Sequence, residues 1–521
     1  MRNKMLDTQI IFGKDVIDSL TESMYKEAAC ILREYIQNAA DQIDVAVESG
    51  ILTHRDAGIY ITLKDQNISV RDNATGIPAK KVLERLVFVA NSNKDGVKQR
   101  GCRGIGRLAG LAYCHELQFV TSYKGESKQT ILKWDADKMR VLLESPDKSI
   151  EAAEVIKNIV SIETCPCSED EHFFEVKLLG IFRQEEKLLN YDYIKNYLSL
   201  VAPLPFDTKF IFKSKILDFV KQHNLRLDEY KVYLNGEQLF KSYNSRIYGN
   251  SSGTQKVIDE IHDIDVRLHR SATGDLLGWS WVAITNFVKQ LQVCNAARGL
   301  RIRKGNIQVG DEDTLCELFT EKRANHYFLG EVHACHSLLK PNSQRDHFNQ
   351  NEIFSEFRDI LSQYCESLTV WFNGASKAQS AYRAQENVQK LKRSFKEKEA
   401  KRNFSSSEER EKMVQKIAAA EKEVSDKNKT LKTYERKATN IPHLDTILGN
   451  IKKNYSIQDT EIITGDIEQK TSPIGYRSQK LSKLSKKDQK IIGRVFSVID
   501  NVLLDEGLAE ELKQKIEDEF K

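Results

Sequence analysis

The stretch LREYIQNAADQ, residues 32–42, combines an apolar helical period with polar groups on one side. Apolar residues recur at three- and four-residue steps across residues 20–50, which predicts a long helix. Glu34, Asn38 and Asp41 are spaced to share one face of it. A carboxylate and an amide one turn apart can orient a water molecule and ligate a hard cation, with Glu34 as general base and Asn38 as ligand. A solvated polar face has the same spacing, so this motif alone leaves both interpretations open.

A second polar cluster follows a predicted β-hairpin. Two β-type runs, residues 58–64 and 67–72, flank Asp65-Gln66 and predict two strands joined by a tight turn. Asp72 ends the second run, where its carboxylate can accept a hydrogen bond from an exocyclic amine. Gly76 would let the backbone approach a flat ring closely. An ordinary Asp-Asn turn would contain the same residues.

The third cluster is the glycine-rich stretch QRGCRGIGRLAG, residues 99–110. Its glycines free a run of backbone N–H groups that can cradle phosphate, and Lys94, Lys98, Arg103 and Arg107 add positive charge. No Gly-Lys-Ser/Thr sequence follows, and no strand leads directly into a Rossmann turn. The stretch is therefore neither a Walker A motif nor a dinucleotide fingerprint.

Taken together, in this order and at these spacings, the three clusters resemble the ATP site of the GHKL (Bergerat-fold) ATPases. That superfamily includes gyrase, the ninety-kilodalton heat-shock chaperones, histidine kinases and MutL. LREYIQNAADQ is similar to their N box, DNATGI (residues 72–77) to their first glycine box, and GCRGIGRLAG (residues 101–110) to their second. One departure is Ala74, where many members have glycine, and its methyl group could narrow the pocket.

The resemblance implies that the ligands are ATP and Mg²⁺. Glu34 would activate the attacking water, Asn38 would hold Mg²⁺, and Asp72 would bind the adenine amine with Gly76 beneath the ring. The glycines of the third cluster would wrap the phosphates as part of a closing lid, and Thr121 matches the family's adenine-side threonine more loosely. The residues expected to bind nucleotide are Asn38, Asp41, Asp72, Gly76, Lys94, Gly101, Arg103, Gly104, Ile105, Gly106 and Thr121.

The order of the domains distinguishes among branches of the superfamily. Histidine kinases place a dimerising His helix before the ATP domain and usually lack the catalytic glutamate. In this chain the ATP domain begins near residue 20 and Glu34 is present, which favours hydrolysis over phosphotransfer to histidine. Gyrase, the heat-shock chaperones, MutL and MORC proteins follow the ATP domain with a second α/β domain that delivers a cation to the γ-phosphate.

The second half of the chain contains a candidate for that cation. The stretch LLKPNSQRD, residues 338–346, resembles the asparagine-then-arginine loop in the middle domain of the chaperone family. This makes Arg345 the first catalytic candidate and Lys340 the second. The alternative is that Arg345 pairs structurally with Asp346 or another acid.

A further basic stretch lies at residues 297–306. Arg301, Arg303 and Lys304 are predicted to lie on a strand beside a glycine turn, where they could touch the lid, an acidic partner or DNA. A solvated edge strand protected by charge is an equally good interpretation.

The predicted architecture is α/β: a Bergerat-type α/β sandwich, a second, transducer-like α/β domain, an α-helical coiled-coil arm and a helical C-terminus. Strands at 232–240 and 278–284 and a helix at 353–371 are assigned to the second domain. The arm is predicted as two helices, 376–402 and 408–440. The predicted segments are 1–205 (ATP-binding), 206–375 (transducer-like), 376–441 (coiled coil), 442–487 (linker) and 488–521 (terminal helices).

Composition limits the class of protein. The 521 residues carry a formal net charge of only +4, so any nucleic-acid surface must be local. The odd number of cysteines, nine, is typical of reduced thiols in a cytoplasmic protein, and no apolar run is long enough to span a membrane. We expect no membrane association.

The function predicted from these features is an Mg²⁺-dependent ATPase that acts as an ATP-gated homodimeric clamp. The clamp would hold a protein client, as a chaperone does, or DNA, as MORC and MutL proteins do. Analogy alone suggests a role in stress or phage defence. The alternatives are a scaffold that uses nucleotide only as a switch and, less favoured, a sensor-type histidine kinase.

Overall fold

The computed structural model describes residues 12–17, 27–88, 106–147, 149–251, 254–400, 404, 406–455, 481, 483–503 and 505–520. The chain forms two compact units. The first extends to Glu366, apart from Asn286–Val288, and the second comprises that short segment and the residues from Ser367 onward.

The first unit contains an eight-stranded mixed sheet in the order β5-β4-β3-β6-β2-β1-β7-β8. Neighbouring strands are antiparallel except β1 and β7, which run parallel. This mixed α/β architecture was predicted. The strands are β1 (Ile59–Lys64), β2 (Asn67–Asp72), β3 (Cys114–Ser122), β4 (Lys128–Asp135), β5 (Val160–Pro166), β6 (Phe173–Ile181), β7 (Val232–Leu234) and β8 (Glu237–Gln238).

The predicted hairpin is confirmed as β1 and β2. Lys64 pairs with Asn67 across the two-residue turn, in which Asp65 and Gln66 have φ values of 49° and 61°. Two successive positive φ values give the turn a twist that matches the twist of the strands. Ile61, Ile68 and Val70 are buried, so the register places Asp72 at the inner end of β2.

Helix α1 spans Cys30–Glu48, within the predicted range of residues 20–50. Its apolar face packs into the core of the first sheet, but polar residues near its start are buried as well. The other helices of this unit are α2 (Val82–Leu86), α3 (Ala136–Glu144), α4 (Ala152–Ile159), α5 (Tyr191–Val201) and α6 (Lys213–Gln222).

The strands at residues 232–238 correct one prediction, because they lie in the first sheet and not in the second domain. Ile59 pairs with Val232, and the rings of Tyr60 and Tyr233 stack with centroids 5.2 Å apart. The amide Oδ1 of Asn235 also accepts a hydrogen bond from the backbone N–H of Leu63 at 2.7 Å. A hairpin's own sequence specifies its turn but not the sheet it joins, since the parallel pairing with β1 is a long-range contact.

A second, five-stranded sheet has the order β11-β12-β15-β13-β14. Trp279 and Trp281 on β12 are fully buried in its core with Phe206 and Phe210. A separate ribbon pairs β9 with β10. The strands are β9 (Arg246–Ser251), β10 (Thr254–Glu260), β11 (Asp263–Arg270), β12 (Leu276–Ile284), β13 (Gly299–Lys304), β14 (Ile307–Val309) and β15 (Leu329–Ala334).

The basic stretch was predicted either to contact the lid, an acidic partner or DNA, or to be a solvated edge strand. Both predictions are wrong, because β13 is an interior strand between β15 and β14. Arg301 is 4% exposed and Arg303 is fully buried. The Nε of Arg303 lies 2.5 Å from Oε1 of Glu331, and Nζ of Lys241 lies 2.7 Å from Oε2 of the same carboxylate. Arg303 also donates to the carbonyl of Leu200 at 2.5 Å. Arg303 therefore joins the second sheet to the end of α5.

The second unit is helical. Helix α7 runs without interruption from Glu352 to Ala400, so the two helices predicted on either side of residue 375 are one. The change to a Lys- and Glu-rich composition near residue 376 marks a change of surroundings, not a break in the backbone. Helix α8 spans Ser407–Ala438. Ser406 is its N-cap, and its hydroxyl accepts a hydrogen bond from the N–H of Glu409 at 3.3 Å.

Part of the predicted linker is also helical. Helix α9 (Leu444–Asn454) buries Leu444, Ile447, Leu448 and Ile451. A Cβ added at Gly374 of α7 would lie 2.9 Å from a methyl group of Leu444, so the glycine permits the close approach of these two helices.

The chain ends in α10 (Lys486–Val502) and α11 (Glu506–Glu519). Ile492, Phe496 and Ile499 pack with Ile516, whereas Val495 and Val502 of the same helix are exposed. In the part of the chain that is described, no helix is both long enough and apolar enough to cross a bilayer.

Candidate active site

The carboxyl group of Asp72 lies at the inner end of β2 and is 2% exposed. One of its oxygens accepts a hydrogen bond from the N–H of Ala74 at 3.0 Å. Burial raises the pKa of Asp72 to about 7, although hydrogen bonds from the backbone N–H groups of Ala74 and Phe174 oppose the shift. A buried acceptor of this kind matches the role expected of Asp72, which is to accept a hydrogen bond from the adenine amine.

The backbone conformation and the close approach of a second main chain both require glycine at position 76. Its φ is +67°, and an added Cβ would lie 1.8 Å from the carbonyl oxygen of Ser122. Two main chains therefore touch at this point, so any side chain would collide with β3 whether or not a ring were bound. The prediction explained Gly76 by the approach of a flat ligand, and the structure adds this second, steric reason.

Thr121 holds the loop after Asp72 against the sheet. Its hydroxyl accepts a hydrogen bond from the N–H of Ile77 at 2.8 Å and donates one to the carbonyl of Phe173 at 2.9 Å. Nδ1 of His172 contacts the carbonyl of Ala74 at 2.6 Å on the same loop. Thr121 thus lies in the predicted neighbourhood, where it fixes the backbone between Asp72 and Ile77.

The polar face of α1 is buried, which excludes the solvated-face interpretation. Glu34 is 8% exposed and Asp41 is 2% exposed, and Asn38 is half-buried. The hydroxyl of Thr75 donates to Oε1 of Gln42 at 3.3 Å, which joins this helix to the Asp72 loop. The structure therefore brings the first two predicted clusters together.

Arg33 joins α1 to the loop that contains Arg345. The Nε of Arg33 lies 3.5 Å from Oε1 of Glu34, and its terminal NH2 donates to the carbonyl of Gln344 at 2.9 Å. The carbonyl of Arg345 in turn accepts a hydrogen bond from Gly310 at 2.7 Å. Thus one guanidinium contacts both the candidate general base and the residue before the candidate phosphate-binding arginine.

Positive charge is concentrated around that loop. Arg345 is 4% exposed and has a φ of +55°. The pKa of Lys304 is lowered to about 8 by burial and by the nearby cations Arg345 and Lys340. The ammonium of Lys304 donates to the carbonyls of Cys335 and His336 at 3.2 and 2.7 Å. Asp346, the acid proposed as a structural partner of Arg345, is hydrogen-bonded to Asn342 and lies 2.7 Å from His347.

The third cluster lies largely outside the described residues, which exclude Lys94, Lys98, Gly101, Arg103, Gly104 and Ile105. Gly106 begins a short 3₁₀ helix, Gly106–Ala112. The hydroxyl of Tyr35 accepts a hydrogen bond from the N–H of Gly110 at 3.1 Å and donates to the carbonyl of Arg107 at 3.3 Å. An added Cβ at Gly110 would lie 2.5 Å from that hydroxyl.

Sequence reasoning missed Arg33 and Tyr35, the two residues on either side of Glu34. Arg33 contacts the Arg345 loop, and Tyr35 contacts the end of the glycine-rich stretch. Burial also raises the pKa of Tyr35 well above its ordinary value, so its hydroxyl stays neutral. The available signal was the position of both residues beside the candidate base, on a helix expected to have a polar face.

The amino-terminal region is similar in sequence to known ATPases. Residues 27–163 match the family model described as Histidine kinase-, DNA gyrase B-, and HSP90-like ATPase. Two curated relatives, both named Chaperone protein HtpG and from two strains of Clostridium perfringens, are 27% identical over 143 residues. These matches cover 24% of this chain and 23% of each relative, so the chain spans less than a quarter of the relatives' length. The amino-terminal region of this chain is therefore similar to the ATPase domains of the GHKL superfamily, including those of Hsp90-like chaperones.

Proposed function

We propose that this chain hydrolyses ATP in an Mg²⁺-dependent reaction at the site formed by α1, the Asp72 loop and the Arg345 loop. Asp72 accepts a hydrogen bond from the adenine amine, and Asn38 ligates the cation. Glu34 takes a proton from the attacking water. The donors that α1 offers on this face are amide and carboxylate oxygens, which Mg²⁺ prefers.

The contact from Arg33 to the carbonyl of Gln344 carries this proposal. It places Arg345 in a loop held against the helix that supplies the general base. In phosphoryl transfer the protein acts mainly by positioning groups and by stabilising the charge that develops on the transferred phosphate. Arg345, from the loop that follows β15, would supply the cation, and Glu34 of α1 would supply the carboxylate. Bound Mg²⁺ would neutralise charge on the phosphates.

Steady-state ATP hydrolysis tests this assignment. We expect Glu34→Ala to retain nucleotide binding but lose turnover, because only proton abstraction depends on the carboxylate. Glu48→Ala is the matched control, since Glu48 is an exposed acid at the other end of the same helix. Equal hydrolysis by Glu34→Ala and the parent protein would reject Glu34 as the base, and the switch-like scaffold would become the better account.

We also propose that the protein works as a homodimeric clamp. On α10 the apolar residues Ile491, Val495, Val498 and Val502 are 42–70% exposed and follow a 4-3-4 spacing. That spacing forms the apolar stripe of a helix that pairs with another helix. Sedimentation velocity should give a dimer that becomes a monomer in the double variant Val495→Lys/Val498→Lys. An unchanged mass would exclude this stripe as the dimer contact.

A protein client is favoured over DNA as the partner of the clamp. Cations of the helical arm pair with acids of the same arm: Lys392 with Glu421 at 2.7 Å, Lys398 with Glu409 at 3.0 Å and Arg410 with Glu399 at 3.1 Å. These three cations of the arm are thus compensated within it.

A direct binding assay separates the two partners. DNA binding that weakens with salt and is lost on charge reversal of Lys392, Arg393 and Lys396 would favour DNA instead. Suppressed aggregation of an unfolded protein, without DNA stimulation of hydrolysis, would favour the client.

A further inference from the structure

Three side chains of different chemistry, none of them a candidate active-site residue, converge beside the second sheet. Nε2 of His326 lies 2.6 Å from Oδ1 of Asp313 and 3.8 Å from Sγ of Cys316, and Sγ lies 3.6 Å from the same Asp313 oxygen. Among the residues that the structure describes, this trio is the group of potential ligands that could share one metal ion.

These separations are close to those that a tetrahedral zinc site requires. Ligands bound to one Zn²⁺ with bonds of about 2.0–2.3 Å lie roughly 3.3–3.7 Å apart. Of the two distances that involve sulfur, the 3.6 Å from Asp313 lies within this range and the 3.8 Å from His326 lies just above it. His326 and Asp313 need only move apart by several tenths of an ångström, which replaces their direct contact by two bonds to the ion.

The cluster rests on a rigid support. Asn325 is fully buried; its Oδ1 accepts a hydrogen bond from the N–H of Leu300 on β13 at 3.0 Å, and its Nδ2 donates to the carbonyl of Glu312 at 2.7 Å. That same Nδ2 lies 3.7 Å from Sγ of Cys316. The amide Nε2 of Gln290 lies 3.1 Å from Nδ1 of His326. With this amide turned over, its Oε1 would accept the Nδ1 proton of an imidazole bound to metal through Nε2 and so fix the ring orientation.

The arrangement does not fit a nucleophilic triad. In such a triad the thiol and the carboxylate contact opposite nitrogens of the histidine, so that a proton can pass through the ring. Here both Cys316 and Asp313 face Nε2 of His326. Convergence of a sulfur, a nitrogen and an oxygen on one point is instead the geometry of shared coordination.

We propose that Asp313, Cys316 and His326 form a Zn²⁺ site. The thiolate and imidazole are ligands that zinc prefers, and three protein ligands leave a fourth position open to water. Cys316 releases its proton to solvent when the Zn–S bond forms. The exposed carboxylate of Asp313 provides a route by which the ion enters from solvent.

The ion would fasten the segment between β14 and β15. Its ligands lie on a turn and two short 3₁₀ helices, Cys316–Leu318 and Lys322–Tyr327. This segment starts next to Gly310, whose N–H donates to the carbonyl of Arg345 at 2.7 Å. The metal site therefore stabilises the structure that supports the Arg345 loop, without contributing a group to the candidate ATP site.

Metal binding to the full-length protein tests the proposal directly. The chain is stripped with a chelator, dialysed and titrated with Zn²⁺ alone, and the bound metal is counted by elemental analysis. Co²⁺ is titrated in parallel, because a bound thiolate gives an intense sulfur-to-cobalt charge-transfer band and tetrahedral Co²⁺ gives strong visible bands. We expect one equivalent of Zn²⁺, a charge-transfer band with Co²⁺ and a higher melting temperature in the presence of Zn²⁺.

Two single variants and one control locate the site. Cys316→Ser should abolish the charge-transfer band and His326→Gln should weaken Zn²⁺ binding at least tenfold, whereas Cys335→Ser, a second thiol on a different segment, should leave both unchanged. Absence of a thiolate band in the parent protein overturns the proposal and needs no variant to fold. Retention of the full band in Cys316→Ser overturns it as well, because the sulfur ligand would then lie elsewhere.

Discussion

The hydroxyl of Thr121 accepts a hydrogen bond from the backbone N–H of Ile77, 44 residues earlier in the chain. It also donates to the carbonyl of Phe173, so a single side chain joins the Asp72 loop, β3 and β6. Thr121 is 1% exposed, so water cannot replace either bond.

Removal of this hydroxyl should destabilise the first sheet. Thr121→Val leaves the N–H of Ile77 and the carbonyl of Phe173 buried without their partner, which costs about 1–3 kcal/mol for each group left unsatisfied. Thr121→Ser keeps the hydroxyl and should remain within about 1 kcal/mol of the parent. Urea denaturation measures both. Equal stability of the two variants would show that the hydroxyl is not what holds the loop.

Gly76→Ala should be far more damaging than Gly125→Ala. Both glycines have positive φ, +67° and +87°, which costs an alanine about 1–2 kcal/mol. Only Gly76 adds a collision, 1.8 Å from the carbonyl oxygen of Ser122, whereas a Cβ at Gly125 has nothing within 4 Å. We expect several further kcal/mol of destabilisation or insoluble protein from Gly76→Ala, as judged by yield and melting temperature. Similar melting temperatures for both variants would contradict this steric account.

The Asp72 carboxyl should make stability and nucleotide binding respond oppositely to pH. Its folded pKa of about 7 lies above the ordinary value of 3.8, so the folded state holds this proton more tightly than the unfolded chain. The resulting stabilisation is full below pH 4 and is lost as pH rises towards 7. Ionised Asp72 is the better acceptor for an amine, so ATP affinity should instead increase over this range.

Asp72→Asn separates these two effects. In the absence of nucleotide the variant should lose the Asp72 contribution to the pH dependence and be more stable than the parent at pH 8 by up to about 4 kcal/mol, because one pKa unit corresponds to about 1.4 kcal/mol. It should also lose ATP binding, measured by calorimetry. If Asp72→Asn is less stable than the parent at pH 8, then ionised Asp72 does not destabilise the folded state.

Arg345 should act on turnover more than on affinity. Arg345→Asn removes the guanidinium while keeping a residue that tolerates the positive φ of this position. We expect kcat to fall by about 10²- to 10³-fold, the effect of losing one group that stabilises transition-state charge. Lys340→Ala should have a smaller effect. Arg323→Ala is the control, because that side chain is 76% exposed. An unchanged kcat in Arg345→Asn would assign the cation elsewhere.

The buried carboxylate of Glu331 should make Lys241 essential to stability. Lys241→Met leaves that carboxylate with one cation fewer in a site that is 0% exposed, which costs about 3–5 kcal/mol. Lys322→Met removes an exposed pair with Glu317 and should cost less than about 1 kcal/mol. Tryptophan fluorescence during urea denaturation reports on this core, because Trp281 donates to Glu331 at 3.2 Å. Equal midpoints would mean that the buried pair contributes no more than the exposed one.

Local features of the fold and site could be predicted from sequence because they repeat over a few residues. The helical period around Glu34 predicted α1, and the alternation on either side of Asp65-Gln66 predicted the hairpin that ends in Asp72. The glycine spacing predicted a phosphate-binding stretch, most of which lies outside the described residues. The apolar period likewise predicted the helices of the arm, but not that α7 continues through residue 375.

Contacts between distant segments could not be predicted in this way. Arg33 contacts Gln344 across 311 residues, and Arg303 contacts Leu200 across 103. The basic pattern of β13 was compatible with an exposed edge, and only the burial of Glu331 opposite it shows that its arginines are structural. The same local sequence, a cationic residue next to a glycine turn, is compatible with an exposed edge strand and with a buried interior strand.

The sequence by itself determined which segments become helices and strands and which residue types stand at the candidate ATP site, because backbone periodicity and turn chemistry act over short distances. Tertiary structure alone decided that β7 joins the first sheet, that Arg33 and Tyr35 connect α1 to the loops around it, and that Asp313, Cys316 and His326 meet. Those outcomes depend on which apolar surfaces and backbone groups from distant segments pair when the chain folds. Local periodicity does not specify that pairing.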